Sequence, residues 1–238
     1  RKLVKGAPDS TETPQVIDTY RSLIGALLWI ANITRPDISY AVSTLAKFTS
    51  CPEQAHLKSA FAVLTYLAKT SHCQLALGDF SGKDLCGQEL KAPPTIIGFT
   101  DSSWGDEKPA SGYCCYYKGS LISWASRRLK TTPLSSCEAE YAAATNAAST
   151  LMHNIELSQF LNPKLEVNNT RLYCDNSAAC QLSDNALSGK RVKHVTRQLA
   201  FLRELKEENK LSLHFISGAK NIADIFTKPL ATPRFVEL

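Results

Sequence analysis

The first part of the chain has hydrophobic residues at helical spacing. Residues 19–71 form three such stretches, of which the first two stop at Pro36 and before Pro52. The third begins with Pro52 in its first turn, where the missing N–H of proline costs nothing. Residues 1–18 are polar and contain two prolines, which predicts an irregular lead-in. A small helical region is therefore predicted for residues 19–90, and it contains no cluster of catalytic residue types.

Residues 72–94 are a mixed connection that ends in Pro93–Pro94, and after it the pattern becomes typical of strands. Three strand candidates come first, with a turn at Lys118–Gly119, and a long helix follows from about Ser136 to Phe160. The strand candidates are TIIGFTD, SGYCCYYKG, SLISWASRRL, RLYCD and LSLHFIS. The later helix candidates are NSAACQLSD, VTRQLAFLRELKEENK and NIADIFTK. This order predicts an α/β fold over residues 95–238, with a mixed five-stranded sheet flanked by helices.

Composition narrows the functional class. Apolar residues make up 44% of the 238 residues, but we find no apolar run long enough to span a bilayer and no signal peptide. We therefore expect no membrane association, and we expect the chain to be a piece of a longer protein. The eight cysteines lack metal-ligand spacing and have mostly apolar neighbours. This favours buried thiols in a reducing, intracellular compartment.

The net charge of +5 is mild, but its distribution is uneven. Two basic stretches, residues 113–133 and 190–203, contain no acidic residue. Basic stretches that flank acidic motifs suit a polyanion lying over a metal site. The candidates for contacts with backbone phosphates are Arg127, Arg128, Lys193 and His194. A solvated surface is the alternative interpretation for each of them.

Two aspartates end strand-like runs. Asp101 follows the apolar run at residues 96–99, and Asp175 ends the run RLYCD. An aspartate inside a buried strand is costly unless it is paired or bound to a metal ion. Capping of the next turn is the alternative for Asp101. If the two strands are neighbours in the sheet, their carboxylates will lie side by side.

Two glutamates compete for a third position. Ser135 and Glu138 have the spacing of a helix capping box, which gives Glu138 a structural task. Glu140 lies two residues further along and faces elsewhere. It shares its helical stripe with Ala143, Ala144 and Ala147. A glutamate on a face that packs closely against a sheet needs a reason, and a metal ion supplies one, so Glu140 is the predicted ligand.

Asp224 is a weaker candidate for a fourth position. Asn221 has the spacing to cap a helix with Asp224 in its first turn, where an acidic residue is favourable. Taken alone, this structural interpretation is the stronger one. Four carboxylates that converge from separate elements nevertheless repel one another unless a multivalent cation lies between them, which points to a divalent metal site.

Four motifs carry a family resemblance, namely TDSSWG, SSCEAEY, YCDNSAA and KNIADIFTKPL. In this order and spacing they resemble the ribonuclease H domain of Ty1/copia-type retrotransposon Pol polyproteins. The stretch YRSLIGALLWIANITRPDISYAVSTLAKF resembles the reverse-transcriptase thumb and connection region that precedes that domain. Together the two resemblances cover nearly the whole chain.

The resemblance implies a ribonuclease H fold and endonucleolytic hydrolysis of the RNA strand of RNA–DNA hybrids. The family's four metal-binding catalytic carboxylates match Asp101, Glu140, Asp175 and Asp224. Two Mg²⁺ ions, for which Mn²⁺ would substitute, are expected about 3.5–4 Å apart with Asp101 between them. Ser136 and Asn176 are the candidates for reading the 2′-OH of RNA. The implied partners are the hybrid and the upstream reverse-transcriptase domain, in a cytoplasmic virus-like particle or in the nucleus.

The chain departs mildly from the family pattern at Cys137 and Ser102, and more clearly in one loop. Many cellular ribonucleases H have a histidine before the last acidic residue, whereas the loop here is SGAKN, so either Lys220 or no residue takes over its role. The polymerase motif YxDD is absent, so this segment does not itself polymerise. Two other functions stay open. One is a domesticated, non-cleaving module that binds nucleic acid or protein. The other is an integrase-like or resolvase-like nuclease core, which the long helix directly after the third strand disfavours.

Overall fold

The computed structural model describes residues 13–78, 95–104, 109–130, 132–167, 170–184 and 196–238. The chain divides into two compact units, Arg1–Leu75 and Ala76–Leu238. This division falls near the start of the connection that the sequence places at residues 72–94. Residues 79–94 lie outside the described residues, so the domain boundaries predicted at residues 90 and 95 stay predictions.

The first unit contains the three predicted helices. They are α1 (Pro14–Ile33), α2 (Ser39–Ala46) and α3 (Gln54–Lys69), with a 3₁₀ turn at Pro36–Ile38 before α2. One face of each helix enters a common core, formed by Tyr20, Ile24, Leu27, Ala31, Val42, Leu45, Leu57 and Ala60. The predicted irregular lead-in is wrong for residues 14–18, because α1 already begins at Pro14. Proline suits this first-turn position because its φ is already helical.

By length and composition alone, α1 is long and apolar enough to cross a membrane. The expectation that no such run exists was therefore wrong. Within its unit, α1 buries Tyr20, Ile24, Leu27 and Ala31 against the other helices. Core helices of soluble proteins pass the same test of length and composition.

The second unit contains a mixed five-stranded sheet, as predicted. Its strands are β1 (Ile96–Ser102), β2 (Ala110–Tyr117), β3 (Ser120–Arg128), β4 (Thr170–Cys174) and β5 (Leu211–Phe215). Its α-helices are α4 (Ser136–Leu161), α5 (Ser177–Asp184), α6 (Thr196–Glu207) and α7 (Thr232–Glu237). The strand order is β3-β2-β1-β4-β5, with β1 antiparallel to β2 and parallel to β4. The predicted turn between β2 and β3 is present, with positive φ at Lys118 (47°) and Gly119 (80°), as a two-residue hairpin loop of type I′ needs.

Helix α4 covers one face of the sheet at close range. Its small and branched residues Ala144, Ala147, Ala148 and Leu151 share a core with residues of the strands. The approach is so close that a Cβ on Gly98 of β1 would lie 2.5 Å from Leu151 Cδ1. Glycine in β1 and alanine in α4 together allow this close packing of the helix on the sheet.

The opposite face of the sheet packs against the segment that follows β5. Phe99, Cys114 and Tyr173 of the sheet form a core with Ala223 and Phe226 of that segment. The last predicted helix is a 3₁₀ helix at Ile222–Phe226, so the α-helix expected there was wrong in type. Pro229 disfavours helical conformation at Lys228, so the helix has little room to continue beyond its end at Phe226. Helix α7 was not predicted.

Candidate metal centre

The paired strands β1 and β4 bring two aspartates to the same end of the sheet. Their parallel register matches Phe99 with Tyr173, and Asp101 and Asp175 each lie two residues further along. Asp101 is only 1% exposed, whereas Asp175, directly after β4, is partly exposed. The predicted adjacency of the two strands that carry aspartates is confirmed, and it places both carboxylates at the same end of the sheet.

The 3₁₀ helix at Ile222–Phe226 brings Asp224 to the same end of the sheet. Its anchor is Asn221, whose side-chain amide donates to the Thr100 carbonyl of β1 at 3.1 Å. The side-chain oxygen of Asn221 accepts from Ala223 N at 3.1 Å and caps the 3₁₀ helix. The predicted cap at Asn221 is therefore present, and it is compatible with Asp224 as a metal ligand, which stays a prediction. One carboxylate oxygen from each of Asp101, Asp175 and Asp224 lies within 4.8 Å of the others.

A glycine allows this segment to approach the sheet. Gly112 of β2 pairs with Asp101 of β1. A Cβ on Gly112 would lie 2.5 Å from Phe226 Cβ and 2.8 Å from Thr227 Cγ2. Only a residue without a side chain lets the segment that carries Asp224 cross directly over the strand beside Asp101.

Helix α4 supplies the fourth carboxylate. Glu140 is 6% exposed, and its Oε1 accepts hydrogen bonds from Ser102 N at 3.3 Å and Ser102 Oγ at 2.9 Å. The ligand atoms of Glu140, Cys174 and Asp175 also lie within 4.8 Å of one another. Asp175 belongs to both groups, so it links Glu140 to the other two aspartates.

The neighbouring Glu138 has the structural task that its spacing predicts. Its backbone N–H donates to Ser135 Oγ at 3.2 Å, and its carboxylate accepts from Leu134 N at 2.6 Å. The carboxylate therefore bonds one residue before the N-cap, and it stabilises the start of α4 instead of joining the cluster. The catalytic role of Glu140 stays a prediction, but the geometry separates the two glutamates as expected.

The cluster holds acidic groups that resist losing their protons. Burial, together with the charges of Asp101 and Asp175, raises the pKa of Glu140 to about 8. Burial also raises the pKa of Asp101 to about 6, although Lys228 and Thr227 oppose this shift. The pKa of Asp175 is raised as well, mainly by burial. A divalent cation would remove this penalty, and a donor set of carboxylate oxygens fits a hard cation such as Mg²⁺.

Two residues at this centre were missed by the sequence analysis. Lys228 Nζ lies 2.7 Å from Asp224 Oδ1 and 3.2 Å from Asp101 Oδ1. Thr227 Oγ1 donates to Asp101 Oδ2. Burial disfavours the charged form of Lys228 and so lowers its pKa. Asp101 and Asp224 outweigh this effect, and the pKa of the ammonium group is raised overall. The four-residue spacing of Asp224 and Lys228 was visible in KNIADIFTKPL, but nothing local indicated that Lys228 also reaches Asp101.

The remaining predicted residues lie at varying distances from the centre. Arg127 and Arg128 are exposed on the edge strand β3, where Arg127 pairs with Ser111, and Ser111 in turn with Ser102 of β1. Arg127 is thus two strands from the end of β1, about 10 Å away. Ser136 is exposed at the first residue of α4.

Asn176 has a structural task, because its Oδ1 accepts from Ala179 N at 3.0 Å at the start of α5. Its predicted reading of the 2′-OH stays a prediction, as does the phosphate-binding role of the arginines. Lys193 and His194 lie outside the described residues. Lys220 lines a cavity of about 400 Å³ with Arg171, Tyr173 and His214.

The raised pKa values predict a pH dependence of stability in the absence of metal. Between the ordinary pKa of glutamate, 4.5, and the value of about 8 in the folded protein, Glu140 holds a proton that the unfolded chain has released. The free energy of unfolding should therefore fall as the pH rises through this window, by up to about 1.4 kcal/mol per pH unit for one group. Urea unfolding in a chelator at several pH values measures the slope. The variant Glu140→Gln should flatten it, and an unchanged slope would argue against burial of a protonated Glu140.

A mixed sheet in the order β3-β2-β1-β4-β5, with carboxylates gathered at the ends of β1 and β4, defines a ribonuclease H-like fold. Comparison with known proteins extends this to a family. The chain is 32% identical over 221 residues to the Pol polyprotein of transposon TNT 1-94 from Nicotiana tabacum, with 91% of this chain covered. It is 33% identical over 223 residues to that of transposon RE1 from Arabidopsis thaliana, also with 91% covered. The chain belongs to the Pol polyproteins of Ty1/copia-type retrotransposons, which confirms the resemblance of its motifs.

The chain spans only part of these relatives, 16% of the TNT 1-94 polyprotein and 14% of the RE1 polyprotein. It also matches secreted RxLR effector protein 161 of Plasmopara viticola, with 31% identity over 134 residues that cover 54% of this chain and 85% of that protein. No protein-family model matches the chain.

Two solved structures align with the chain. One is LC11-RNase H1 in complex with an RNA/DNA hybrid, with 19% identity and a TM-score of 0.42 over 56% of this chain and 93% of that one. The other is a foamy viral protease-reverse transcriptase in complex with double-stranded DNA, with 14% identity and a TM-score of 0.48 over 86% of this chain and 35% of that one. The fold assignment rests on the strand order described above.

Proposed function

We propose that the second unit hydrolyses the RNA strand of RNA–DNA hybrids, using two divalent cations held by Asp101, Glu140, Asp175 and Asp224. The observation that carries the proposal is that these carboxylates converge at one end of the sheet. They come from the ends of two strands, from one α-helix and from one 3₁₀ helix. Membership of the Pol family supports the same chemistry. When bound, the cations would activate the attacking water and stabilise the leaving 3′-oxygen.

The residues of the chain have distinct tasks in this proposal. Asp101 is the most deeply buried of the four acids, and it lies between Thr227 and Lys228 on one side and Asp175 on the other. Asp101 would contact both cations, as the family resemblance implies, and Asp175 is the carboxylate that belongs to both groups of candidate ligands. Glu140 and Asp175 would hold one cation, and Asp224 would hold the other. Ser102 fixes the orientation of Glu140 through two hydrogen bonds, so that side chain is oriented before a cation arrives.

The substrate approaches over a basic rim in this proposal. Arg127 and Arg128 on the edge strand β3 would hold backbone phosphates at about 10 Å from the carboxylates, which is the width of two strands. Ser136, one helical turn before Glu140, and Asn176, next to Asp175, are the candidates for reading the 2′-OH of the RNA strand. The upstream reverse-transcriptase domain would deliver the hybrid.

The test of this function is a cleavage assay on RNA–DNA hybrid, duplex RNA and duplex DNA. With Mg²⁺ or Mn²⁺ we expect the protein to cleave the RNA–DNA hybrid and neither of the two duplexes. We expect no cleavage with Ca²⁺, because its looser and more variable coordination suits a two-cation transition state poorly. Robust cleavage in EDTA, or equal cleavage of duplex DNA, would overturn the proposal.

A second candidate is a domesticated module that binds nucleic acid or protein without cleaving. The observation that favours it is the similarity to the effector from Plasmopara viticola, because 85% of that protein is covered by a segment of this chain. All four carboxylates are present here, which favours the enzyme. Binding of hybrid with Mg²⁺ present and no cleavage under any metal condition would favour the module.

A further inference from the structure

The carboxylate cluster includes a sulfur atom that Mg²⁺ does not need. Cys174, the last residue of β4, is wholly buried, and its Sγ lies 3.9 Å from Glu140 Oε2. Ligand atoms of Glu140, Cys174 and Asp175 all lie within 4.8 Å of one another. Hard cations take oxygen ligands, whereas thiolates select borderline and soft cations. The thiol therefore gives one end of the cluster a different metal preference from the other.

We propose that Glu140, Cys174 and Asp175 form a thiolate-containing site for a borderline divalent cation of the Zn²⁺ class, and that its occupation takes Glu140 and Asp175 away from Mg²⁺. The spacing suits such an ion. Bond lengths of about 2.3 Å to sulfur and about 2.1 Å to oxygen at tetrahedral angles separate the two ligand atoms by ~3.6 Å. The distance from Cys174 Sγ to Glu140 Oε2 is 3.9 Å, so the two atoms need to move only slightly closer to bind one ion. Water would occupy a fourth position, as in zinc sites with three protein ligands.

Hydrogen bonds already orient two of the three ligands. Ser102 N and Ser102 Oγ both donate to Glu140 Oε1, while Glu140 Oε2 is the oxygen that faces Cys174. The backbone N–H of Asn176 donates to Cys174 Sγ at 3.3 Å. An N–H aimed at sulfur stabilises a thiolate ligand, and partners of this kind fix the orientation of metal ligands in known sites.

Ion binding converts the thiol to a thiolate. As the metal–sulfur bond forms, the S–H proton leaves to the buffer, and no oxidant or reductant is needed. Asp101 and Asp224 are not ligands of this thiolate site. They belong to the second group of candidate ligands, which they form with Asp175 and which offers carboxylate oxygens only. The consequence for catalysis rests on the proposed function, since a Zn²⁺ ion at this place would inhibit Mg²⁺-dependent cleavage by occupying two of its four carboxylates.

The binding experiment uses the full, reduced chain and does not depend on nuclease activity. Co²⁺, which replaces Zn²⁺ and has visible spectra, is titrated into the metal-free protein, and thiolate-to-metal charge-transfer absorption is recorded. Cys115→Ser is the matched control, because Cys115 is also wholly buried in the core that contains Cys174. We expect the band in the wild type and in Cys115→Ser, and its loss in Cys174→Ser. A band that persists in Cys174→Ser, or no band in the wild type, overturns the site.

A second variant keeps the test decisive if Cys174→Ser does not fold. Glu140→Gln leaves every thiol in place, and it should weaken Co²⁺ binding and shift the charge-transfer band if the thiolate ligand is Cys174. An unchanged band and affinity in that variant would assign the thiolate to another place and overturn the proposal.

The inhibition experiment tests the consequence. Zn²⁺ is titrated against hybrid cleavage at constant Mg²⁺, and each variant is compared with its own activity without Zn²⁺. Cys174→Ser should need at least about tenfold more Zn²⁺ for half-inhibition than the wild type or Cys115→Ser. Equal sensitivity would overturn the competition with Mg²⁺. If the wild type cleaves nothing, the proposed function fails, while the Co²⁺ titration still decides the thiolate site.

Discussion

Replacing Glu140 with Gln is expected to abolish hybrid cleavage and to leave the fold intact. A Gln oxygen still accepts from Ser102, so the two hydrogen bonds that hold the side chain survive. The negative charge needed to hold a cation is lost, and removal of one preorganised electrostatic partner costs roughly 100- to 1000-fold in rate. Between pH 4.5 and about 8 the metal-free protein must bind a proton at Glu140 when it folds, and Gln removes this cost, so the metal-free variant should be more stable than the wild type in this range.

Glu138→Gln is the matched control, because it makes the same chemical change two residues away on the same helix. A Gln oxygen can replace the carboxylate that accepts from Leu134 N, so only a charge in the first turn of α4 is lost. The expected cost is about 0.3–1 kcal/mol of stability, with little effect on cleavage. The measurements are single-turnover cleavage rates with Mg²⁺ and urea unfolding in a chelator. An inactive Glu138→Gln beside an active Glu140→Gln would reverse the assignment of the two glutamates.

Replacing Lys228 with Met is expected to tighten the binding of divalent cations and to destabilise the metal-free protein. In the structure the ammonium group of Lys228 neutralises Asp101 and Asp224, so an arriving cation must compete with it for both carboxylates. Removal of this competitor should lower the dissociation constant for Mn²⁺ by about tenfold, which corresponds to ~1.4 kcal/mol.

The loss of stability has the same origin. Among the residues that the structure describes, Lys228 is the cation paired with both aspartates, and a buried acid left unpaired is costly. The Lys228 side chain is 38% exposed, so solvent screens part of the effect and about 1–2 kcal/mol is expected. Isothermal titration with Mn²⁺ and urea unfolding in a chelator measure the two changes.

Lys220→Met is the control for a loss of positive charge in the same segment. Lys220 lines the cavity beside Arg171 and Tyr173. Its removal should leave the affinity for Mn²⁺ close to that of the wild type. Weaker Mn²⁺ binding by Lys228→Met, or an equal gain in both variants, would show that Lys228 does not compete with the cation.

Local sequence signals determined the elements of the second unit and two parts of its centre. Alternation and apolar runs located all five strands, because the side chains of a half-buried strand reveal its two faces in the sequence itself. Asp101 and Asp175 stood out because a carboxylate at the end of an apolar strand is costly wherever it is found. Ser135 and Glu138 were read as a cap because capping depends on spacing within one turn.

The tertiary structure decided what depends on distant residues. The segment NIADIFTK forms a 3₁₀ helix because Asn221 binds β1 and Gly112 lets the segment cross β2, and neither contact is local. Asp224 joins the cluster through this crossing, which its own surroundings in the sequence did not indicate. Lys228 and Cys174 reach the carboxylates because strands and helices far apart in the chain meet at the same end of the sheet. Spacing along a chain determines which residues share a turn or a strand face, whereas only the packing of the sheet determines which charges meet.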